Sequence, residues 1–276
     1  MEFTPVFIFV EAFIFEERRR KVSTDIPQLD WQDWMHRYDQ QQSTYLPDRE
    51  KRFTVMLDVL ETLLPEHFVA LDLACGPGSM SQRLLSRFPQ AHSVAVDIDP
   101  ILLLLGQQVL GDMQGRLRWV EADISEPSWH RRLGEEQVDA VVTTTALHWL
   151  HAGSLVELYR QLGVLVRPGG VFLNGDGLGF APHLPSFNTV TEHGHAQWAA
   201  QASAAEKEDW EEWWEALRRE PGMEPFFAER ARRFSTKTRP PGTLVDVHQA
   251  ALRNAGFREV DVIWQHLDNR VVMAVR

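Results

Sequence analysis

The stretch Val69-Ala70-Leu71-Asp72-Leu73-Ala74-Cys75-Gly76-Pro77-Gly78-Ser79 decides the reading of this chain. A short apolar run enters a glycine turn, and Ser79-Met80-Ser81-Gln82-Arg83-Leu84-Leu85 then continues with helical character. That order predicts a buried parallel strand, a tight loop and a helix start. Gly76 and Gly78 allow positive φ and a close approach of backbone to a ligand. Free N–H groups collect at such a helix start. Asp72, inside the strand end, sets the loop apart. A carboxylate there disfavours a phosphate and favours a cationic group.

Outward from this stretch, strands are expected at 69–73, 93–97, 117–121, 138–143 and 170–174. Helices are expected between them at 79–88, 100–110, a short one near 126–133, and 153–165. This alternation predicts an α/β doubly wound sheet with right-handed crossovers. Such sheets bind ligands at the carboxyl ends of their strands. Cys75–Ser79, Asp97–Pro100, Asp123–Ile124 and Thr143–Trp149 all fall at those ends and converge on one crevice.

Before the first strand, Trp31, Trp34, Met35 and Tyr38 mark one helical face, and a second helix runs over 48–64 to Pro65. Tyr38, Tyr45 and Arg49 are candidates to touch a ligand; the alternative is core aromatics and a surface arginine. Residues 177–245 interrupt the alternation. Gly, Pro and His are frequent up to His195, and then Trp210, Trp213, Trp214 and Leu217 form a stripe among acids. After Pro240-Pro241-Gly242 come a helix over 244–255, Gly256 as its cap, and two strands, 257–265 and 270–275, joined by a hairpin turn. The expected segments are an apolar extension at 1–24, a helical cap at 25–66, a core at 67–176, a helical lid at 177–245 and the end of the sheet at 246–276.

Composition excludes several classes. The net charge of −11 over 276 residues argues against nucleic acid as the main partner. One cysteine rules out an intrachain disulfide and a cysteine metal site, and no metal is expected. Phe3 to Phe15 is almost wholly apolar but too short to span a bilayer and lacks the marks of a signal peptide. It is expected to pack on the domain or on a second subunit as a homodimer contact, to be a leader, or to bind a membrane surface or partner. A cytoplasmic location is expected.

From about Asp30 to Arg276 the chain resembles the class I S-adenosylmethionine-dependent methyltransferases of Rossmann-like fold. Asp72-Leu73-Ala74-Cys75-Gly76-Pro77-Gly78 resembles their first motif, D-x-G-x-G-x-G, with Ala74 in place of the first glycine. Val96-Asp97-Ile98-Asp99-Pro100, Glu121-Ala122-Asp123-Ile124, Val138–Val142 with Ala146–Leu150, and Leu165–Gly170 resemble later motifs. The terminal hairpin resembles the end of the same seven-stranded sheet. The resemblance implies S-adenosyl-L-methionine as cofactor and a small or medium organic methyl acceptor. It puts Asp97 on both ribose hydroxyls, Ile98 on the adenine face and Asp123, beside Ile124, on the adenine amino group. Asp72 would order the loop or hold the methionine ammonium through water. The backbone of Ala74, Cys75, Gly76, Pro77 and Gly78 would lie against methionine and ribose, and Thr145 and Ala146 would reach the methionine part. Cys75 itself is expected to be a small packing residue.

Methyl leaves a sulfonium without acid assistance, so alignment and exclusion of water carry much of the rate. A base is needed only where the acceptor must lose a proton. His148 is the candidate base or orienting residue, or else a histidine that merely shapes the pocket with Trp149. His183, His193 and His195 are weaker candidates. The alternatives are a non-catalytic or regulatory cofactor-binding module, and methylation coupled to cyclisation. A nicotinamide enzyme is disfavoured, because Gly76-x-Gly78-x-x-Ser81 lacks the third glycine of that fingerprint.

Overall fold

The computed structural model describes residues 26–46, 48–135, 137–204, 208–238, 240 and 242–276. The expectations for residues 1–24, including a dimer contact, lie outside the described residues, as does the side chain of Tyr45.

Seven strands form one sheet: β1 (Val69–Leu73), β2 (His92–Asp97), β3 (Leu117–Glu121), β4 (Val138–Thr144), β5 (Val166–Gly177), β6 (Glu259–His266) and β7 (Asn269–Val275). Their order is β3-β2-β1-β4-β5-β7-β6. The first five run parallel, and β7 enters antiparallel between β5 and β6. The expected sheet, mostly parallel with a terminal antiparallel pair, is the one observed. The chain leaves β1 on one side for β2 and returns on the other for β4, which opens a crevice at the ends of β1 and β4.

Helices cover both faces because the strands are apolar on both. α2 (Arg49–Leu63) and α3 (Ser79–Arg87) lie on one face, with Phe53, Met56, Leu60 and Leu84 packed on Ala70, Val142 and Leu173. α5 (Ala152–Leu165) and α9 (Val245–Asn254) lie on the other, with Leu155, Leu158, Tyr159 and Leu252 on Leu71, Val141 and Phe172. A third apolar cluster joins α1 (Trp31–Tyr45), α4 (Pro100–Leu110), α7 (Trp210–Arg218) and α8 (Glu224–Phe234). The tryptophan stripe read in the sequence is its centre: the rings of Trp213 and Trp214 lie 4.9 Å apart, and Trp213 meets Trp34 at 5.8 Å.

Two expectations are corrected, and a third segment is sharpened. The helix near 126–133 is a single 3-10 turn, Trp129–Arg132, ended by Gly134 at φ 67°. The fifth strand is longer than 170–174, because Val166 pairs with Val138 and the Gly169 N–H donates to the Arg276 carbonyl. The glycine- and histidine-rich stretch before His195 is mostly helical, within α6 (Pro185–Ala204). Pro185 sits at the first position, where its missing N–H costs nothing. Within this helix a glycine stands at 194, where a Cβ would come within 2.5 Å of the Leu267 side chain. Among the described residues, no helix is long and apolar enough to cross a membrane.

Candidate functional site

The loop after β1 is held from three sides. The Cys75 N–H donates to the Val96 carbonyl at 2.9 Å, and the Gly76 N–H donates to Asp97 Oδ2 at 2.7 Å. Asp72 Oδ2 accepts from the Ser81 N–H at 2.9 Å and the Ser81 hydroxyl at 2.6 Å. Asp72 therefore caps α3 from within β1, the loop-ordering half of its expected role. Burial pushes the Asp72 carboxyl up to about 6. Ala74, where the motif usually carries glycine, is left-handed at φ 55°. The reason for Gly78 is a neighbour: a Cβ there would meet the Trp119 ring at 2.6 Å, and one at Gly106 would meet the same ring at 2.4 Å and the Pro77 carbonyl at 2.6 Å. Trp119, on β3, is wedged between the loop and α4.

Asp97 ends β2 and is buried. Its second oxygen accepts from the Asp99 N–H at 2.8 Å, so each carboxylate oxygen carries a backbone bond. Burial raises this carboxyl to about 6, against the backbone bonds from Asp99, Gly76 and Ile98. Tyr38 is a core aromatic of the α1–α7 cluster, and its hydroxyl also reaches the loop, 3.4 Å from where a Gly76 Cβ would stand. Arg49 is buried and pairs with Asp39 at 2.8 Å; Asp39 in turn accepts from the Ser79 hydroxyl at 3.1 Å, the first residue of α3. The Cys75 thiol is buried and pushed up by burial, then by the charges of Asp72 and Asp97, which suits a packing residue.

At the β3 end, Asp123 is already engaged. Its Oδ1 accepts from the Ser125 N–H at 3.0 Å and hydroxyl at 2.7 Å, and Oδ2 pairs with Lys237. Burial acts upward on this carboxyl, but those bonds hold it below the usual range. Lys237 belongs to a row of cations on and after α8. Arg230 pairs with Asp99 at 2.6 Å, and Arg233 donates to the Ile98 carbonyl at 2.9 Å and pairs with Glu121 at 2.9 Å. Ile98 and Ile124 are half-buried beneath that row.

At the ends of β4 and β5 stands a histidine–carboxylate pair. His148 follows Leu147 in a 3-10 turn, Leu147–Trp149. Its Nδ1 lies 2.8 Å from Asp176 Oδ1, and its backbone N–H donates to Asp176 Oδ2 at 3.2 Å. Asp176 is fully buried. Burial alone would raise its carboxyl, but His148 and the charge of Arg52 outweigh it and hold it low. With Nδ1 engaged, Nε2 is the ring nitrogen left to meet a ligand. Thr145, at φ 56°, donates its N–H to the Gly175 carbonyl at 2.9 Å and accepts from Arg52 Nη2 at 2.8 Å; Ala146 opens the turn. His195 and His193 lie on the exposed side of α6, with His195 bonded to Asp268 at 2.9 Å.

The structure thus gathers Asp72, Asp97, the loop, Tyr38, Thr145 and His148 along one edge of the sheet. Of the histidine candidates of α6, His195 is engaged with Asp268 and His193 with Gln197. Asp176 and Arg52 escaped the sequence reading. Asp176 ends a parallel strand just as Asp97 does, so the same rule could have found it. Arg52 offered no signal beyond its place on a helix.

The comparisons with known proteins agree with this geometry. A family model described as a methyltransferase domain matches residues 70–170. Residues 70–170 belong to the methyltransferase domain family. The chain is 34% identical over 140 residues to a trans-aconitate 2-methyltransferase of Azoarcus sp., covering 50% of this chain and 49% of that one. A protein of the same description from Escherichia coli is 33% identical over 100 residues, covering 36% of this chain and 35% of that one. The chain therefore spans about half the length, or less, of the curated relatives it matches. Among solved structures, an O-methyltransferase family protein from Burkholderia thailandensis superposes with a TM-score of 0.53 at 17% identity, covering 87% of this chain and 59% of that one. The carbon methyltransferase CurJ gives 0.50 at 15%, covering 81% and 53%. At such identities these two establish the shared fold. The matched residues end at 170, near the start of β5, so Asp176 and the helices beyond lie outside them.

Proposed function

We propose that the chain transfers the methyl group of S-adenosyl-L-methionine to a small-molecule acceptor at the His148–Asp176 pair. The observation that carries this is the joint between loop and acid. A buried Asp97 at the end of β2 accepts from the Gly76 N–H of the loop and from the Asp99 N–H.

The residues fit the cofactor. Asp97 suits the ribose diol in two charge-assisted bonds. The start of α3, with Arg49 and Ser79 beside it, suits the carboxylate of the methionine part. Asp72, whose Oδ2 is taken by Ser81, suits its ammonium through water. The backbone of Ala74–Gly78, Ile98 and Ile124 supplies the walls, and Asp123 meets the adenine edge once Lys237 yields. When bound, the cofactor supplies an electrophilic methyl on a cationic sulfur.

The protein then holds, orients and dries. Thr145 and Ala146 position the methionine side beside His148. Asp176 fixes the His148 ring with Nδ1 protonated and leaves Nε2 to accept a proton, or a hydrogen bond, from the acceptor. The helical cap at 25–66 and the insertion at 177–245 form the cover over the crevice; the contacts of α8 and Lys237 with Asp99, Glu121 and Asp123 support this. A small acceptor accords with the trans-aconitate named for the relatives, and we take the reaction to be cytoplasmic. Calorimetry with S-adenosylhomocysteine and transfer of labelled methyl to small-molecule classes test the proposal. Binding without any transfer would leave a non-catalytic cofactor module, and no binding would remove the whole reading.

A further inference from the structure

Three arginines are buried among the described residues: Arg49, Arg52 and Arg270. Arg49 has Asp39 as its ion-pair partner. The other two have none, and both stand at the end of β5 and β7. Arg52 at least finds neutral acceptors, the Gly175 carbonyl at 3.1 Å, Asn269 Oδ1 at 3.0 Å and Thr145 Oγ1 at 2.8 Å. Arg270 finds none. It is 4% exposed, and its Nε and Nη1 are buried without a hydrogen-bond partner. Its guanidinium lies 4.5 Å over the ring of Phe180. Asp268 and Asp246 act on it only at a distance, and burial pushes its pKa down.

A buried guanidinium without a direct ion pair is costly, and a face on phenylalanine recovers only a part of that cost. A chain tolerates such a group where an anion completes it. Its position says where that anion would sit. Arg270 pairs in register with Asp176 across β5 and β7. Directly opposed residues on antiparallel strands leave the same face with Cβ atoms about 5 Å apart. The unpaired fork therefore rises beside the carboxylate that holds His148. Its planar donors suit a carboxylate in two parallel bonds.

We infer that Arg270, stacked on Phe180, binds a carboxylate group of the methyl acceptor, and so selects small organic acids. This rests on the reading of His148–Asp176 as the acceptor side. Arg270 supplies recognition; His148 meets the reacting end. The neutral counterpart of the same acid, its ester, forfeits the pair and leaves the guanidinium buried alone.

The test uses the full chain and three probes, succinate, citrate and trans-aconitate, each against its full methyl ester at matched ionic strength. At least one acid should raise the melting temperature of the wild type, and no ester should. Arg270→Gln should weaken that acid at least tenfold, leave S-adenosylhomocysteine affinity within twofold, and melt no lower than wild type without ligand. Wild type that ignores all three acids, esters that bind as well as acids, or an Arg270→Gln variant that binds the acid unchanged would each overturn the assignment. Should Arg270→Gln not fold, Arg270→Lys takes its place: loss of tenfold in acid affinity supports the fork, and equal affinity overturns it. Acids that bind while S-adenosylhomocysteine does not would sink the methyl-donor reading and leave Arg270 as a carboxylate site alone.

Discussion

Asp176→Asn is the most exacting perturbation of the acceptor side. The carboxylate is fully buried and takes two bonds from His148, at 2.8 Å to Nδ1 and 3.2 Å from the backbone N–H. Asparagine keeps the shape and removes the charge. A hydrogen bond to a charged group contributes about 1.5–3 kcal/mol. At 1.4 kcal/mol per tenfold, that is a fall in kcat/KM of about 12- to 150-fold. The loss belongs to His148 acting through Asp176, so His148→Gln with Asp176→Asn should cost little more than the worse single change. Homocysteine-product affinity, measured by calorimetry, should stay within about twofold, because Asp97 and the loop are untouched. A stability loss should accompany it, since Asp176 is the acid whose charge acts most strongly on buried Arg52. The sign of the pH effect follows from a carboxyl held low: its stabilisation is present above about pH 4, the unfolded value, and is lost only as pH falls further. Unchanged kcat/KM, or fully additive losses in the double variant, would refute the pair as a working unit.

The cofactor side makes its own predictions. Asp97 has its carboxyl raised to about 6, and the ionised form is the better acceptor for a diol, so S-adenosylhomocysteine affinity should hold steady above pH 7 and fall below pH 6; a titration curve bending near pH 4 would contradict the burial. The same raised carboxyl penalises the folded chain as pH climbs from 3.8 to about 6, so Asp97 does not help stability at neutral pH. Ala74→Gly relieves a left-handed alanine, about 1–2 kcal/mol, against about 0.5–1 kcal/mol of added chain entropy, and should raise the melting temperature by a degree or more; a lower value would refute the strain. Gly106→Ala drives a methyl into Trp119 and the Pro77 carbonyl, and should cost about 1–3 kcal/mol of stability and weaken S-adenosylhomocysteine binding through the loop; unaltered binding would show that the wedge and the loop are uncoupled.

The sequence determined the sheet and its cofactor edge. The reason is that local patterns wrote both: apolar runs of strand length, glycines at a turn, and acids at strand ends. Asp72, Asp97, Gly76 and His148 were all legible in this way. Gly78 was legible as a glycine but not for its reason, because Trp119 lies 41 residues further along the chain. The tertiary structure alone brought together the residues of the proposed acceptor side. Asp176 meets His148 across 28 positions, Arg52 meets Asn269 across 217, and Arg270 meets its solitude only once Asp176 and Phe180 have been brought beside it. Partnership and its absence are properties of distance in space. A pattern along the chain cannot record that a buried cation makes no direct ion pair; the folded surroundings can.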